Sequence, residues 1–342
     1  MSTVLLERPR SLDAVAPPEW QGRRRDGVRL LVSRADGDEH ATFTDLPEVL
    51  DAGDLLVVND SATLPASLRA HGRLGPFRLN LSTRYGPDLW LAEPRPSAAN
   101  PGPMPWRPGD RIEAGGVGAR LICPYPSAPR LWFVEFDSDI TAAMQARGEP
   151  IRYAYLQPPF PPIEAYQTIF ARHPGSAEMP SAGRPFTRRV VDALRQRGLR
   201  FATVTLHAAV SSLEGDADDV DRLPSIPEPF HVPPETVREV EETKQRGGRV
   251  IAVGTTVVRA LESAHGDHGL RAAAGFTRLI VHPGRPPRVA NGLLTGMHDP
   301  TSSHLALLRA FAGRDRVERA YRVAIEAGYR WHEFGDVHLV RV

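Results

Sequence analysis

The 342-residue sequence contains one cysteine, Cys123, and one lysine, Lys244. A single thiol excludes any intrachain disulfide. No apolar run is long enough to cross a membrane and nothing resembles a signal peptide, so a reducing cytoplasm is the expected compartment and no membrane partner is expected. Charge of either sign is also lacking in excess: 42 Lys and Arg face 41 Asp and Glu, for a net +1. That balance neither announces nor excludes a nucleic acid, because local patches decide such binding. Familiar signatures are missing too. There is no GxGxxG, no GxxxxGK[ST], no GxSxG and no HExxH, which argues against a standard dinucleotide site, a P-loop, a serine-hydrolase elbow and a zincin.

What is present is the composition of a globular protein, 41% hydrophobic and 24% charged, long enough for two domains. "GRRRDGVRLLV" places Arg23, Arg24 and Arg25 before a strand at Leu30 to Val32. The arginines read as a solvated charge run, with a phosphate contact as the alternative. Leu55 to Val58 form an apolar run suited to a strand buried on both faces, ending in Asn59 and Asp60. From Ser67 to Ile151 the texture changes to short alternating runs ("PFRLNLS", "DLWLAE", "ARLIC", "RLWFVEF") between Pro and Gly clusters, the pattern of a small all-β module. Pro94 to Asp110 reads as a loop within it. After Pro158 helices and strands alternate: "RRVVDALRQRG" helix, "RFATVTLH" strand, "RLIVHPG" strand, "SSHLALLRAFAG" and "ERAYRVAIEAGY" helices, "DVHLV" strand. The expected architecture is a discontinuous α/β main domain, residues 1–66 and 152–342, interrupted by a β-barrel domain at 67–151.

Polar residues at the ends of separate buried strands are the best candidates for a site, since open α/β sheets bind ligands there. They are Asn59 and Asp60, Thr205 and His207, and Thr255 and Thr256. The last pair lies in "GGRVIAVGTTVVRALESA", where a strand stops at Gly254 and a helix begins. The threonine hydroxyls are expected to cap that helix, whose free N–H groups favour an anion. For each residue alone, a cap or a core hydrogen bond is the competing role. His332, Asp336 and His338 are the best metal candidates, with Asp336 and His338 on one face of a strand. They lack a complementary ligand pair, so a structural role is expected and no metal is assigned.

Eight stretches then carry a resemblance: "RRRDGVRLLV", "DLPEVLDAGDLLVVNDSATLPASL", "YQTIFARHPGSAEMPSAGRPFT", "TVTLH", "VPPETV", "GGRVIAVGTTVVRALESA", "LLTGMHDPTSSHLALLRAFAG" and "AYRVAIEAGYRWHEFGD". In this order the chain resembles the S-adenosylmethionine:tRNA ribosyltransferase-isomerases of queuosine biosynthesis, and could be a divergent paralogue. The resemblance implies an α/β domain with an inserted β-barrel. It implies S-adenosylmethionine as a consumed co-substrate that gives up its ribosyl group, and tRNA as partner. The acceptor would be the aminomethyl group of a 7-deazaguanine at the wobble position, and adenine and methionine would leave.

The sulfonium acidifies the C5′ protons, so a base is needed. His207 fits by residue type; Asp60 serves instead as base or as a partner of the ribose hydroxyls. Asn59, Thr205, Gly254, Thr255 and Thr256 are assigned to S-adenosylmethionine, with the methionine carboxylate on the helix start and Arg259 in support. Tyr166, Gln167, Ser181, Gly183, His298 and Asp336 are assigned to the substrate.

The chain also departs from the family. "PTAGLHFT" appears as "PSAGRPFT", with Arg184 and Pro185 for Leu and His. "TLHVGAGTF" appears as "TLHAAVSSL", and the histidine-rich "HxMHxE" as "LPSIPE", keeping Glu228. Ala165 replaces an arginine before "YQT", and "NFHLPEST" is "GMHDPTSS", keeping His298 and Pro300 with Thr301 for the acid. Lost imidazoles and glycines alter contacts in a cleft. Three readings therefore stand: the family reaction on tRNA, a paralogue using S-adenosylmethionine with another acceptor, and a non-catalytic ligand- or RNA-binding protein. The sequence leaves the oligomeric state open.

Overall fold

The apolar run at Leu55 becomes β3 (Leu55–Asn59), buried along its whole length. Its neighbours on both sides are parallel, β12 (Arg200–Leu206) and β14 (Val250–Val253), which is why it carries no alternation. The computed structural model describes residues 8–97, 100, 102–210, 226–299 and 303–341. In it β3 lies within a nine-stranded mixed sheet. The order is β17 (Ala273–Thr277), β13 (Glu228–Val232), β12, β3, β14, β18 (Gly292–Gly296), β19 (Val337–Arg341), β1 (Arg29–Ser33) and β2 (Asp38–Thr42).

Alternation decides which helix covers which face. Leu56 and Val58, with Ile251 and Val253, pack under α1 (Leu46–Val49) and α3 (Arg188–Gln196) through Val190, Val191 and Leu194. Leu55 and Val57, with Val250 and Ala252, face α4 (Pro234–Gln245), α5 (Thr255–Ser263), α6 (Ser303–Ala312) and α7 (Arg314–Glu326). A two-stranded hairpin, β15 (His265–Gly266) and β16 (Gly269–Leu270), follows α5. The strand expected at Arg278 forms earlier, as β17. Thr277 Oγ1 accepts from Leu279 N–H at 3.0 Å, a turn that ends the ladder, while Leu279 and Val281 still reach the core.

The alternating module closes on itself as an antiparallel barrel of β5 (Ser67–Gly72), β6 (Gly75–Arg84), β7 (Leu89–Arg95), β8 (Arg111–Ala114), β9 (Val117–Tyr125) and β10 (Ala128–Phe136), followed by α2 (Thr141–Arg147). Closure leaves no sheet edge to protect. Pro94 and Arg95, read as the start of a loop, complete β7. Leu68, Leu79, Leu121 and Val134 fill the barrel, and Ala177 and Val210 of the main sheet's loops join them. A second link is a stack: the Arg95 guanidinium lies over Tyr153 (5.6 Å), Tyr153 beside Tyr155 (6.0 Å), and Tyr155 flat on His332 (3.9 Å, 3°).

Candidate active site at the carboxyl ends of the parallel strands

Three consecutive residues, Asn59 ending β3, Asp60 after it and Ser61 opening the next strand, reach three different neighbours, with Asp60 turned to the opposite side from Asn59 and Ser61. Asn59 Nδ2 donates to the Leu206 carbonyl (2.8 Å) and to Thr256 Oγ1 (3.1 Å). Its Oδ1 accepts from Leu206 and Ser61 N–H. Asp60 Oδ1 accepts from Thr205 Oγ1 at 2.6 Å, and Oδ2 lies 3.6 Å from His173 Nε2. Ser61 Oγ lies 2.7 Å from His207 Nδ1. Of the strand-end residues singled out in the sequence, Asn59 meets Thr256 and Asp60 meets Thr205, while His207 meets Ser61. Asn59 is fully used in holding β3, β12 and α5 together, which makes it a brace within the site.

A segment running from β11 (His173–Ser176) to a short 3-10 turn (Ser181–Gly183) crosses these strand ends. β11 pairs in parallel with β4 (Ser61–Thr63). Gly175 lies directly against His207: a Cβ there would fall 2.4 Å from Nδ1. Further along, Ala182 covers Gly254 and Ser181 faces Gly296; added Cβ atoms would lie 3.5 Å and 3.9 Å from their side chains.

Gly254 holds φ at 101° and is the N-cap of α5, a conformation suited to glycine. No side chain caps this helix, which corrects the expectation for the threonines: Thr256 Oγ1 is occupied by Asn59. Val257 and Val258 N–H turn back to the Gly254 carbonyl. The Thr255 and Thr256 N–H groups have no acceptor among the described residues and point ahead of the helix.

Asp60 and Thr205 form one wall of a cleft of about 580 Å³, with Arg172, His173, His231 and Glu235 among its other lining residues. Burial, with His173 alongside, pushes His207 below the usual histidine pKa; the Asp60 carboxylate opposes this. The cleft itself offers the Asp60 carboxylate and the Thr205 hydroxyl; the neutral imidazole of His207 and the start of α5 adjoin these strand ends through Ser61 and Asn59, outside the cleft's lining.

Other expected residues lie elsewhere. Arg259 does not support the helix start; it turns along α5 to pair with Glu228. Asp336 is saturated: it accepts from Arg29 N, Nε and Nη2 and from Arg330 N, so it ties β1 to β19 and is closed to a substrate. Tyr166 is buried against Phe334. Gln167 pairs with both backbone groups of Thr63, and Gly183 packs near Thr168. His298 bonds to Thr295 Oγ1 (2.6 Å) and stacks on His304. His332 and His338 face Asp13 and Ser33 respectively, so with Asp336 they have three separate partner sets. Arg23, Arg24 and Arg25 lie beside Gln21, Asp26 and Glu19. Pro300, Thr301 and the Leu223 end of "LPSIPE" lie outside the described residues.

Two departures from the family pattern are in contact with each other. Arg184 is buried, Nε donates to the Ala165 carbonyl (3.0 Å), and Nη2 grips both oxygens of Glu19. A guanidinium supplied from position 184 thus stands against position 165, where the family pattern has an arginine. Burial lowers its pKa to about 10, still fully charged at neutral pH.

Reading by strand ends missed Ser61, Gly175, Ser176 and His173, although "NDS" and "HPGS" stood in the matching stretches. It also missed Glu333, whose carboxyl accepts from Tyr155 Oη and is lifted by burial from 4.5 to about 7. A raised pKa in the folded state means that the folded protein holds the proton more tightly. Its contribution is intact below about pH 4.5 and is lost as pH rises to about 7. The upper bound is about 3 kcal/mol, reduced by the residue's partial exposure. We expect Glu333→Gln to flatten this part of the stability profile, read as urea midpoints at about pH 5 and about pH 8. An unchanged wild-type slope in the variant would place the titration elsewhere.

The chain matches the model of the queuosine biosynthesis protein family over residues 5–340. It is 35% identical to an S-adenosylmethionine:tRNA ribosyltransferase-isomerase of Thermus thermophilus, covering 98% of this chain and 100% of that one. To the protein of that name from Sorangium cellulosum it is 37% identical, covering 98% and 96%. The crystal structure of an S-adenosylmethionine tRNA ribosyltransferase from Thermotoga maritima superposes with a TM-score of 0.56 at 28% identity, covering 99% of this chain and all of that one.

Proposed function

The chain belongs to the queuosine biosynthesis protein family, and from that premise we propose that it transfers and isomerises the ribosyl group of S-adenosylmethionine. The acceptor is the aminomethyl group of 7-aminomethyl-7-deazaguanine in tRNA; the products are epoxyqueuosine, adenine and methionine. The observation that carries this reading is the run Asn59, Asp60, Ser61, which joins Thr256, Thr205 and His207 at one end of the sheet. The reaction needs a group to take a C5′ proton, donors for the departing adenine and the ribose oxygens, and a seat for the methionine carboxylate. Asp60, His207 and the start of α5 supply those three kinds of group. Ser181, facing Gly296 on the crossing segment, then borders the site and shapes it toward the acceptor, while Gly183, Tyr166, Gln167 and His298 are engaged in the contacts given above and take no direct part. S-adenosylmethionine is consumed as a co-substrate, and no step calls on a metal. The barrel, residues 67–151, is assigned as an insert in the discontinuous domain 1–66 and 152–342 and helps hold the tRNA. Among the described residues no helix is long and apolar enough to cross a membrane, and the cytoplasm is the compartment where tRNA is available.

The test is incubation with S-adenosylmethionine, with and without tRNA carrying the aminomethyl-deazaguanine, following adenine by mass spectrometry. Release that depends on that tRNA supports the reading. Release only with another amine acceptor, or none with any acceptor, replaces it by one of the other two.

The carboxylate seat has its own test. Valine at position 254 is forced into a left-handed backbone conformation, at a cost on the order of 1–3 kcal/mol, and its side chain stands between the ligand and the free N–H groups. S-adenosylmethionine affinity is expected to drop on the order of tenfold or more. Decarboxylated S-adenosylmethionine should bind wild type and Gly254→Val equally weakly, by calorimetry. Wild-type binding of that analogue as tight as S-adenosylmethionine itself would move the carboxylate off this turn.

A further inference from the structure

The hydroxyl pair behind His207 fixes which of its nitrogens carries the proton. Ser176 Oγ accepts from Ala208 N–H at 3.0 Å and lies 2.6 Å from Ser61 Oγ. Ser61 Oγ in turn lies 2.7 Å from His207 Nδ1. Both serines are sealed from solvent, at 1% and 0% exposure, so their protons must be placed within this chain of contacts. Each hydroxyl has one proton to give.

If Ser176 donates to Ser61 and Ser61 donates to Nδ1, every proton has an acceptor and Nδ1 is a bare lone pair. In the opposite direction, Nδ1–H donates to Ser61 and Ser61 to Ser176. The Ser176 proton then has no acceptor among the described residues, a buried loss that disfavours this arrangement by roughly tenfold or more. Burial keeps the ring neutral, so a bare Nδ1 leaves the single proton on Nε2.

We propose that His207 meets the substrate as a hydrogen-bond donor through Nε2–H, that Ser61 and Ser176 are the positioning residues that hold it in this form, and that Asp60 is the base. The roles rest on the reading under Proposed function; the tautomer does not. A neutral imidazole in this form polarises an atom that gains negative charge, here a nitrogen of the departing adenine or a ribose oxygen, without having to transfer its proton. It has no lone pair free on the ligand side and cannot accept the C5′ proton. Asp60 can: the C5′–H bond breaks, its electron pair stays on carbon beside the sulfonium as the ylide, and an O–H bond forms on the carboxylate. Thr205 Oγ1 fixes Oδ1 from behind, and His173 stands 3.6 Å from Oδ2.

Nitrogen NMR of the full chain labelled with 15N-histidine at neutral pH tests the tautomer, with His207→Gln assigning the signals by their loss. A protonated Nε2 with a bare Nδ1 is expected, and Ser61→Ala should shift the signals toward a mixture of forms. A protonated Nδ1 in wild type overturns the proposal whether or not adenine release is observed. The role is tested by rate. Glutamine keeps an N–H near the Nε2 position, so His207→Gln should release adenine at least about tenfold faster than His207→Ala. Glutamine as slow as alanine, with both variants folded by circular dichroism, overturns the donor role. Loss of adenine release in wild type itself would count against the family reaction and leave the NMR result standing.

Discussion

Replacing His207 by alanine lowers tRNA-dependent adenine release about 10²–10³-fold, the usual consequence of removing one preorganised donor from developing charge. S-adenosylmethionine binding should fall far less, because the carboxylate seat at α5 and the Asn59 brace do not depend on the imidazole. The fold should hold as well. The ring is only partly buried and its Ser61 partner keeps the Ser176 contact, so the melting temperature is expected to move by only a few degrees. Single-turnover adenine release beside calorimetric binding separates the two effects. A loss under tenfold would mean that His207 is scaffold, and the donor at the site must then be sought among Thr205 and His173.

Much of this arrangement was legible in the sequence because the physics that makes it is local. An unbroken apolar run declares a strand buried on both faces, so its abrupt end in Asn59 and Asp60 marks the end of the sheet where open α/β folds place their ligands. The same logic located Thr205, His207 and the turn at Gly254, and the alternating tract announced the barrel. What the sequence could not show is partner choice. The Thr256 hydroxyl looks like a cap until register brings Asn59 to it. Arg259 is one turn from the helix start in sequence, but its guanidinium is claimed by Glu228 from another strand. Asp336 sits in a stretch shared with the family, yet four donors use up its oxygens inside the sheet. Arg184 and Ala165 read as two separate departures, and only the folded chain shows the Arg184 guanidinium donating to the Ala165 carbonyl. Long-range hydrogen bonds carry no periodicity, so no pattern in the chain announces them.

Gly175→Ala should disable the site without removing any functional group. The added Cβ would lie 2.4, 2.5 and 2.6 Å from Nδ1, Cε1 and Cγ of His207, so either the strand or the ring has to move. The strand is held on both flanks: Leu64 N–H donates to the Ser176 carbonyl and Ala177 N–H to the Ala208 carbonyl, each at 2.8 Å. The imidazole is the freer partner, and it must swing away from Ser61, losing both its tautomer control and its aim. A displacement of about 1 Å at a reacting group costs on the order of 10²-fold in rate, so kcat for adenine release should approach that of His207→Ala while S-adenosylmethionine affinity stays near wild type. Gly183→Ala is the matched control on the same crossing segment. Its Cβ would meet Thr168 Cγ2 at 3.3 Å, a contact that a shift of a few tenths of an ångström relieves, and its rate should stay within a few-fold of wild type. Equal rates in the two variants would show that the imidazole tolerates displacement, and the requirement for glycine at 175 would then be one of packing alone.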